Sequence, residues 1–183
     1  WGARAGIGDL ARRWKERHPP GAAGMPEEKE LGTGEIFLSY SRTDIEAART
    51  LYDEIRQLGG GIIWFDKESL ESGDKYRRKI SEAINRCKLF LPLISSTTEA
   101  RAEGFFRKEW GEAEERDRGI QGRKFIIPVV VDREWDGNLS RYKLFPERFA
   151  DCDFSHAPAG HMSDNLRSTL TRELRALRRK VMS

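Results

Sequence analysis

Short apolar runs alternate with helical patterns of apolar residues along most of this chain. Runs rich in Ile, Val, Leu and Phe predict four buried β-strands and a weaker fifth one, at residues 35–40, 61–65, 88–95, 124–131 and 150–155. Nearly continuous apolar strands are typical of a parallel sheet that is covered on both faces. The pattern therefore predicts an α/β fold in which helices connect parallel strands.

The helix predictions rest on apolar residues that recur every three or four positions. Thr43 and Glu46 match a capping box at the start of the first helix. A second helix is predicted over residues 75–86, and a third includes Phe106. The last helix has the clearest stripe, formed by Leu166, Leu170, Leu174, Leu177 and Val181. Together these elements predict a flavodoxin-like three-layer sandwich, with a five-stranded parallel sheet and helices on both faces.

The first 34 residues differ from the rest of the sequence. They begin at Trp1, without an initiator Met, and a short basic stretch is followed by a segment rich in Gly and Pro. Such a segment is typical of a linker. We therefore expect residues 1–34 to be a tail, or the end of an upstream domain in a longer protein. Residues 35–183 are expected to form one domain.

Composition narrows the class of protein. Of the 183 residues, 38% are hydrophobic and 34% are charged, which fits a single globular core. The net charge of +3 is small and the charges are interspersed, so no nucleic-acid surface is predicted. No apolar run is long enough to span a bilayer, and the charged start does not fit a signal peptide. A cytoplasmic protein is expected, with no membrane contact and with Cys87 and Cys152 as reduced thiols.

The sequence lacks the motifs of several common kinds of functional site. His18, His156 and His161 do not have the spacing of metal ligands, so no metal site is predicted. The glycines at 59–61 precede a strand rather than open a helix, which argues against a redox dinucleotide. The serines after the third strand have no nearby His to activate them as nucleophiles. No cofactor is therefore expected.

Polar residues follow each of the first three predicted strands. Ligands of an open parallel sheet bind in the crevice at the carboxyl ends of its strands. Three stretches are expected to meet there, namely Ser39–Asp44, Asp66–Asp74 and Ser95–Glu109. Topology alone thus predicts a candidate site at this edge of the sheet.

Five separated blocks of the sequence resemble the Toll/interleukin-1 receptor (TIR) domain family. In order, they are IFLSYSRTD, WFDKESLESG, KLFLPLIS, FFRKEW and FIIPVVV. The resemblance covers about residues 35–180 and implies a flavodoxin-like fold in which the loop 66–74 is the so-called BB loop. One branch of the family consists of adaptors that only assemble with other such domains. The other branch cleaves NAD+, releasing nicotinamide and leaving ADP-ribose or a cyclic isomer.

Glu109 in FFRKEW is the candidate catalytic residue. The enzymatic branch has a Glu on its third helix just after an aromatic and a basic residue, and Glu109 matches that position. Nicotinamide leaves NAD+ as a neutral molecule, so no general acid is needed, and one carboxylate can stabilise the positive charge that develops on the ribose. The alternative is a solvated helix charge. Phe105 and Phe106 instead place Glu109 at the edge of an apolar face.

Two candidate substrate contacts follow the first strand. Tyr40 is expected to flank the nicotinamide ring, and Arg42 to bind a phosphate. A surface salt bridge with Asp44 is an equal alternative for Arg42. Some enzymatic relatives have two consecutive basic residues where this chain has Ser41 and Arg42, so the chain departs from their pattern at the phosphate contact.

Three further candidate contacts follow the second and fourth strands. Phe65 and Asp66 end the second strand, where either Trp64 or Phe65 is expected to point into the core. The resemblance implies that Trp135 stacks on adenine in a pocket shared with a neighbouring subunit. Packing at the base of its loop is the alternative for Trp135.

The sequence therefore predicts a TIR-domain NAD+ hydrolase or ADP-ribosyl cyclase of bacterial type, with NAD+ as substrate. The resemblance implies activation by self-association through TIR–TIR contacts that include the loop 66–74. It also implies an upstream sensor domain and a role in antiphage immunity. The alternative hypothesis is a non-catalytic TIR scaffold, or a virulence mimic that acts through TIR–TIR contacts.

Overall fold

The structure, a computed structural model, describes residues 35–59, 61, 63–65 and 74–181. Strands and α-helices follow one another within these ranges as β1 Ile36–Ser39, α1 Ile45–Gln57, β2 Ile63–Phe65, α2 Asp74–Arg86, β3 Leu89–Ile94, α3 Ser96–Glu99, α4 Phe105–Arg118, β4 Val129–Val130, β5 Ser155–His156 and α5 Asp164–Val181. Short 3-10 turns lie at Arg42–Asp44, Glu147–Asp151 and Pro158–Gly160. Within the described ranges, no helix is both long and apolar enough to cross a membrane.

The sheet has five parallel strands in the order β2-β1-β3-β4-β5. In the central register, Phe37 of β1 lies opposite Trp64 on one side and Phe90 on the other. This strand order is that of flavodoxin-like folds. The predicted fold class is therefore confirmed.

Separate apolar clusters pack against the two faces of the sheet. Ile36 and Leu38 point toward α1 and α5, whereas Phe37 points toward α2 and α4. The predicted stripe of the last helix is buried at Leu166, Leu170 and Leu174. The opposite cluster is rich in aromatic residues, including Phe90, Phe106, Trp110, Phe125 and Phe149. The two clusters complete the predicted three-layer sandwich.

The last two strands differ from their predicted ranges. Pro128 interrupts the predicted run 124–131 because it has no N–H to donate, and the named strand β4 covers only Val129–Val130. The predicted range 150–155 is wrong, since its first two residues end the 3-10 turn Glu147–Asp151, the next three lie outside any strand, and the strand begins at Ser155. Backbone pairing with β4, rather than a local apolar run, sets this register.

The predicted capping box at the first helix is also wrong. The turn Arg42–Asp44 precedes α1, so Asp44 occupies the N-cap position, and its side chain does not cap the helix. The Thr43 hydroxyl lies 2.8 Å from that of Ser41 instead. A capping box occurs at α3, where the side chains of Ser95 and Thr98 exchange hydrogen bonds with each other's backbone.

Both cysteines are free thiols. Burial raises the pKa of the Cys87 thiol to about 11 and that of Cys152 also to about 11. The nucleophilic form of cysteine is the thiolate, which is scarce at neutral pH when the pKa is this high. Neither thiol is therefore suited to covalent catalysis.

The Glu54 side chain on α1 binds residues just before α5 and in its first turn. Its carboxylate lies 2.9 Å from His161 Nδ1, accepts a hydrogen bond from the Met162 N–H at 2.9 Å, and pairs with Arg167 at 3.4 Å. Burial raises the pKa of Glu54, but the bonds from Met162 and His161 and the charge of Arg167 outweigh it. The pKa of Glu54 therefore lies below its ordinary value.

We expect Glu54→Gln to destabilise the fold at neutral pH and to have less effect in acid. A carboxyl whose pKa is lower in the folded than in the unfolded chain contributes stability above the unfolded value, near 4.5. That contribution is lost as the pH falls through the folded value. The difference in urea midpoint between native and variant should therefore shrink below pH 4.5. The exposed neighbour Asp53→Asn is the control, and a pH-independent difference for Glu54→Gln would contradict this account.

Candidate active site

Glu109 is a buried acidic residue on α4. Its exposed fraction is 6%, and it lies on the same helix face as Phe106, Trp110 and Ala113, which are buried in the core. A solvated helix charge, the alternative considered from the sequence, would be exposed. The structure therefore places Glu109 at the edge of the apolar face, as its spacing from Phe106 predicts.

Ser39 connects Glu109 to the end of β1. The Ser39 hydroxyl donates a hydrogen bond to Glu109 Oε2 and accepts one from the Trp110 indole N–H at 3.1 Å. Ser39 has no exposed surface, and as the second residue after Phe37 it points to the same face of the sheet. A carboxylate is thus held at the carboxyl end of a central strand, where ligands of such sheets bind.

Arg107 fixes the segment that leads into α4. Its guanidinium donates hydrogen bonds to the carbonyls of Thr98 and Arg101 and lies over the Trp110 ring, 5.1 Å from the centroid. These contacts join the loop after β3 to the helix that positions Glu109. The stretch Ser95–Glu109 is therefore one connected unit.

Asp44 joins the ends of β1 and β3. Its carboxylate accepts hydrogen bonds from Ser95 Oγ at 2.6 Å and from Thr97 Oγ1 at 2.7 Å. Burial raises the pKa of Asp44, although these two hydrogen bonds oppose the shift. Together with the contact between Ser39 and Glu109, this pairing confirms that the first and third predicted stretches meet. The second stretch lies mostly outside the described residues.

Tyr40 and Phe65 lie on the other face of the sheet. Their rings stack with centroids 5.1 Å apart, and both pack against the cluster that contains Leu38. Glu109 lies on the face of α4, so the described contacts do not bring these two rings to the carboxylate. Their role as substrate contacts stays a prediction.

Arg42 is exposed in the turn after β1. Both carboxylate oxygens of Asp44 accept hydrogen bonds from Ser95 and Thr97. Within the part of the chain that the structure describes, no ion pair joins Arg42 to Asp44. The phosphate contact of Arg42 stays a prediction.

Trp135 is half-buried beyond the end of β4. Its indole N–H donates to the Asn138 carbonyl at 3.0 Å, and its ring meets His156 edge-on at 5.4 Å. It lines an open cleft of about 550 Å³ together with Lys124 and Arg172. In the sheet, β3 lies between β4, which precedes Trp135, and β1, which ends at Ser39. Asp66 and the rest of the predicted loop up to residue 73 lie outside the described residues.

Ser39 and Trp110 contact Glu109 or its partner but were not predicted from the sequence, and Phe105 entered the prediction only as a guide to the orientation of Glu109. Phe105 has an exposed fraction of 42%, one helical turn before Glu109, and its ring lies 6.4 Å from that of Tyr76. The spacing of an aromatic residue four positions before a Glu was a usable signal for Phe105. The contact of Ser39 with Glu109 joins positions 70 residues apart and has no local signal.

Comparison with known proteins identifies several relatives of this chain. It is 31% identical to the NAD(+) hydrolase TcpC of Escherichia coli over 100 residues, which are 52% of this chain and 30% of that protein. It is 28% identical to the NAD(+) hydrolase SARM1 of Danio rerio over 102 residues, 55% of this chain and 14% of that protein. It is also 28% identical to the 2' cyclic ADP-D-ribose synthase AbTIR of Acinetobacter baumannii over 99 residues, 52% of this chain and 34% of that protein. The chain thus spans only a minor part of each relative.

The sequence profile of the TIR domain family matches residues 36–170. This range includes all five strands of the sheet, the helix that holds Glu109 and the first part of α5. The match therefore covers both the fold and the candidate site. This chain belongs to the TIR domain family.

Proposed function

We propose that this chain cleaves the bond between nicotinamide and ribose in NAD+, with Glu109 as the catalytic carboxylate. The observation that supports this most directly is the burial of that carboxylate at the carboxyl end of β1, where Ser39 binds it. Relatives named as NAD(+) hydrolases and as a cyclic ADP-D-ribose synthase give independent support.

The proposed reaction uses the charge of Glu109 rather than a proton from it. The nicotinamide ring of NAD+ is cationic, and it takes both electrons of the C1′–N bond when it leaves as a neutral molecule. Positive charge then develops on the ribose, and a fixed carboxylate beside it lowers the energy of that transition state. Water adds to C1′ and loses a proton to give ADP-ribose, whereas attack by an atom of the nucleotide itself gives a cyclic product.

Phe105 provides an exposed flat surface one turn from Glu109. Large apolar side chains are mostly buried, and Phe105 and Leu144 are the exposed large hydrophobic residues among those the structure describes. A planar cationic ring binds well against an aromatic face. We propose that Phe105, with Tyr76 beside it, contacts the nicotinamide ring.

Phe105→Ala is accordingly expected to raise the KM for NAD+ about three- to tenfold, with a smaller change in kcat. The physical reason is the loss of ring contact in the bound substrate as well as in the transition state. Leu144→Ala removes a similarly exposed apolar side chain elsewhere on the surface and is the matched control. Initial rates over a range of NAD+ concentrations measure both constants, and equal KM values for the two variants would contradict the proposed contact.

We further propose that the active form is self-associated through TIR–TIR contacts that include the loop 66–74, with Trp135 contributing to a pocket shared between subunits. The position of Trp135 supports this, since its cleft is separated from Glu109 by a strand of the same chain. Specific activity should then rise with protein concentration. An upstream sensor domain, a cytoplasmic location and a role in antiphage immunity belong to the same proposal, and NAD+ loss in infected cells that express the longer protein tests that role.

The proposed activity is tested by incubating the native protein with NAD+ over a range of protein concentrations. Nicotinamide and the nucleotide products are separated by chromatography, and Glu109→Ala is treated in parallel. Nicotinamide release by the native protein alone supports the proposal. Equal release by both proteins contradicts the role of Glu109. No release from a protein that self-associates favours the non-catalytic scaffold.

A further inference from the structure

The directions of the two hydrogen bonds at Ser39 follow from the groups involved. An indole N–H can only donate, so the Ser39 oxygen accepts from Trp110 at 3.1 Å. An ionised carboxylate can only accept, so the hydroxyl proton of Ser39 is directed to Glu109 Oε2. With Trp110 on one side, the Ser39 hydroxyl has a fixed orientation toward the carboxylate.

Trp110 is itself immobilised by its surroundings. Its exposed fraction is 1%, its ring packs edge-on against Phe106 at 5.1 Å, and Phe149 lies 5.7 Å away. The Arg107 guanidinium lies over the ring and is bound to two backbone carbonyls. The indole N–H therefore points at Ser39 without freedom to rotate away.

We propose that Ser39 is a positioning residue for the reaction and that Trp110 sets the direction of its hydroxyl. This inference rests on the proposed NAD+ cleavage. A Glu side chain has several rotatable bonds, and its charge lowers the barrier only when it is held at the position where charge develops. Ser39 binds one carboxylate oxygen from β1, while α4 supplies the helix backbone, so two rigid elements define the position of Glu109.

Ser39→Ala is expected to lower kcat about 10- to 100-fold with KM within about threefold of the native value. Glu109 keeps its charge in this variant but loses the group that orients it. Trp110→Phe removes the indole N–H together with part of the buried ring system, leaves the Ser39 hydroxyl able to donate, and should lower kcat less than Ser39→Ala does. Steady-state kinetics of nicotinamide release give both constants for each variant.

The double variant Ser39→Ala with Trp110→Phe separates the effect of Ser39 on the position of Glu109 from its effect on the stability of the fold. In Ser39→Ala the buried indole N–H loses its acceptor, which lowers Tm. Trp110→Phe also lowers Tm, because it shrinks a buried side chain, but it removes that unsatisfied donor, so Ser39→Ala should lower Tm less in the Trp110→Phe background than in the native protein. Turnover should stay at the low level of Ser39→Ala. If Ser39→Ala instead lowers turnover only in the background where it also lowers Tm, Ser39 has only a structural role and the inference is overturned.

An NMR measurement tests the contact without using activity. The chain has five tryptophans, and Trp110→Phe identifies the Trp110 indole N–H signal by its disappearance. That signal should move in Ser39→Ala, and an unchanged signal overturns the inferred geometry. A native rate in Ser39→Ala overturns the positioning role while the proposed function stands, provided that the native protein is active and Glu109→Ala is not. No nicotinamide release from native protein at any concentration overturns the proposed function and the positioning role with it.

Discussion

Glu109→Gln is expected to lower kcat for nicotinamide release by at least about a hundredfold while the protein stays folded. Gln has the size of Glu, and its amide oxygen can still accept the hydrogen bond from Ser39, so the packing between β1 and α4 should be retained. The variant loses the negative charge that stabilises the developing cation on ribose. Initial rates from chromatography, together with thermal unfolding of each protein, separate loss of charge from loss of fold.

Glu115→Gln is the matched control for this experiment. Glu115 lies on the same helix, is exposed, and pairs with Arg118 at the surface at 3.5 Å. Its charge is solvated, so its removal should change the rate by less than about twofold. A Glu109→Gln protein that retains more than a tenth of native turnover would contradict a catalytic role for the Glu109 carboxylate.

The sequence was sufficient to predict the fold class and the helix face on which Glu109 lies. Apolar runs separated by helical stripes define parallel strands, and parallel strands bring their carboxyl ends to one edge. The spacing of Glu109 from Phe106 then placed the carboxylate at the border of a buried helix face, where the structure has it. These features depend on local periodicity and on topology, which a single sequence records.

The partners of Glu109 could not be predicted in the same way. Ser39 and Tyr40 are adjacent at the end of β1, and successive residues of a strand point to opposite faces. The predicted contact was Tyr40, whose ring stacks on Phe65 on the α1 face, whereas Ser39 faces α4 and binds Glu109. Tyr40 was favoured because its aromatic ring could flank nicotinamide. The orientation of the strand, however, determines that Ser39 is the residue that reaches the carboxylate.

The polar residues near the first helix show a similar limit. Thr43 and Glu46 have the spacing of a capping box, yet Asp44 takes the cap position and binds Ser95 and Thr97 with its side chain. Those hydroxyls come from a segment 51 and 53 residues later in the chain. Local capping rules cannot anticipate a long-range contact that competes for the same side chain.

Among the glycines that the structure describes, Gly160 is the position where an added methyl group should destabilise the fold most. Its backbone has φ +91°, and a Cβ built there would lie 2.1 Å from the Ala47 carbonyl oxygen on α1. Gly160→Ala therefore combines a left-handed conformation with a backbone clash, and no flexible side chain can move to relieve it. We expect a loss of about 2–5 kcal/mol in unfolding free energy and a fall in Tm of about 5–20 °C.

Substitutions at two other glycines separate the cost of the left-handed backbone conformation from the cost of the clash. Gly122 has φ +73° with no atom within 4 Å of a built Cβ, so Gly122→Ala should cost only the conformational term of about 1–2 kcal/mol. Gly111 lies within α4 with open space around it, and Gly111→Ala should raise stability by about 0.5–1 kcal/mol. Urea unfolding of the three variants at one pH gives the order directly. Both positions have a positive φ, but only Gly160 has the clash. If Gly160→Ala is no less stable than Gly122→Ala, the turn before α5 does not approach α1 as closely as the structure has it.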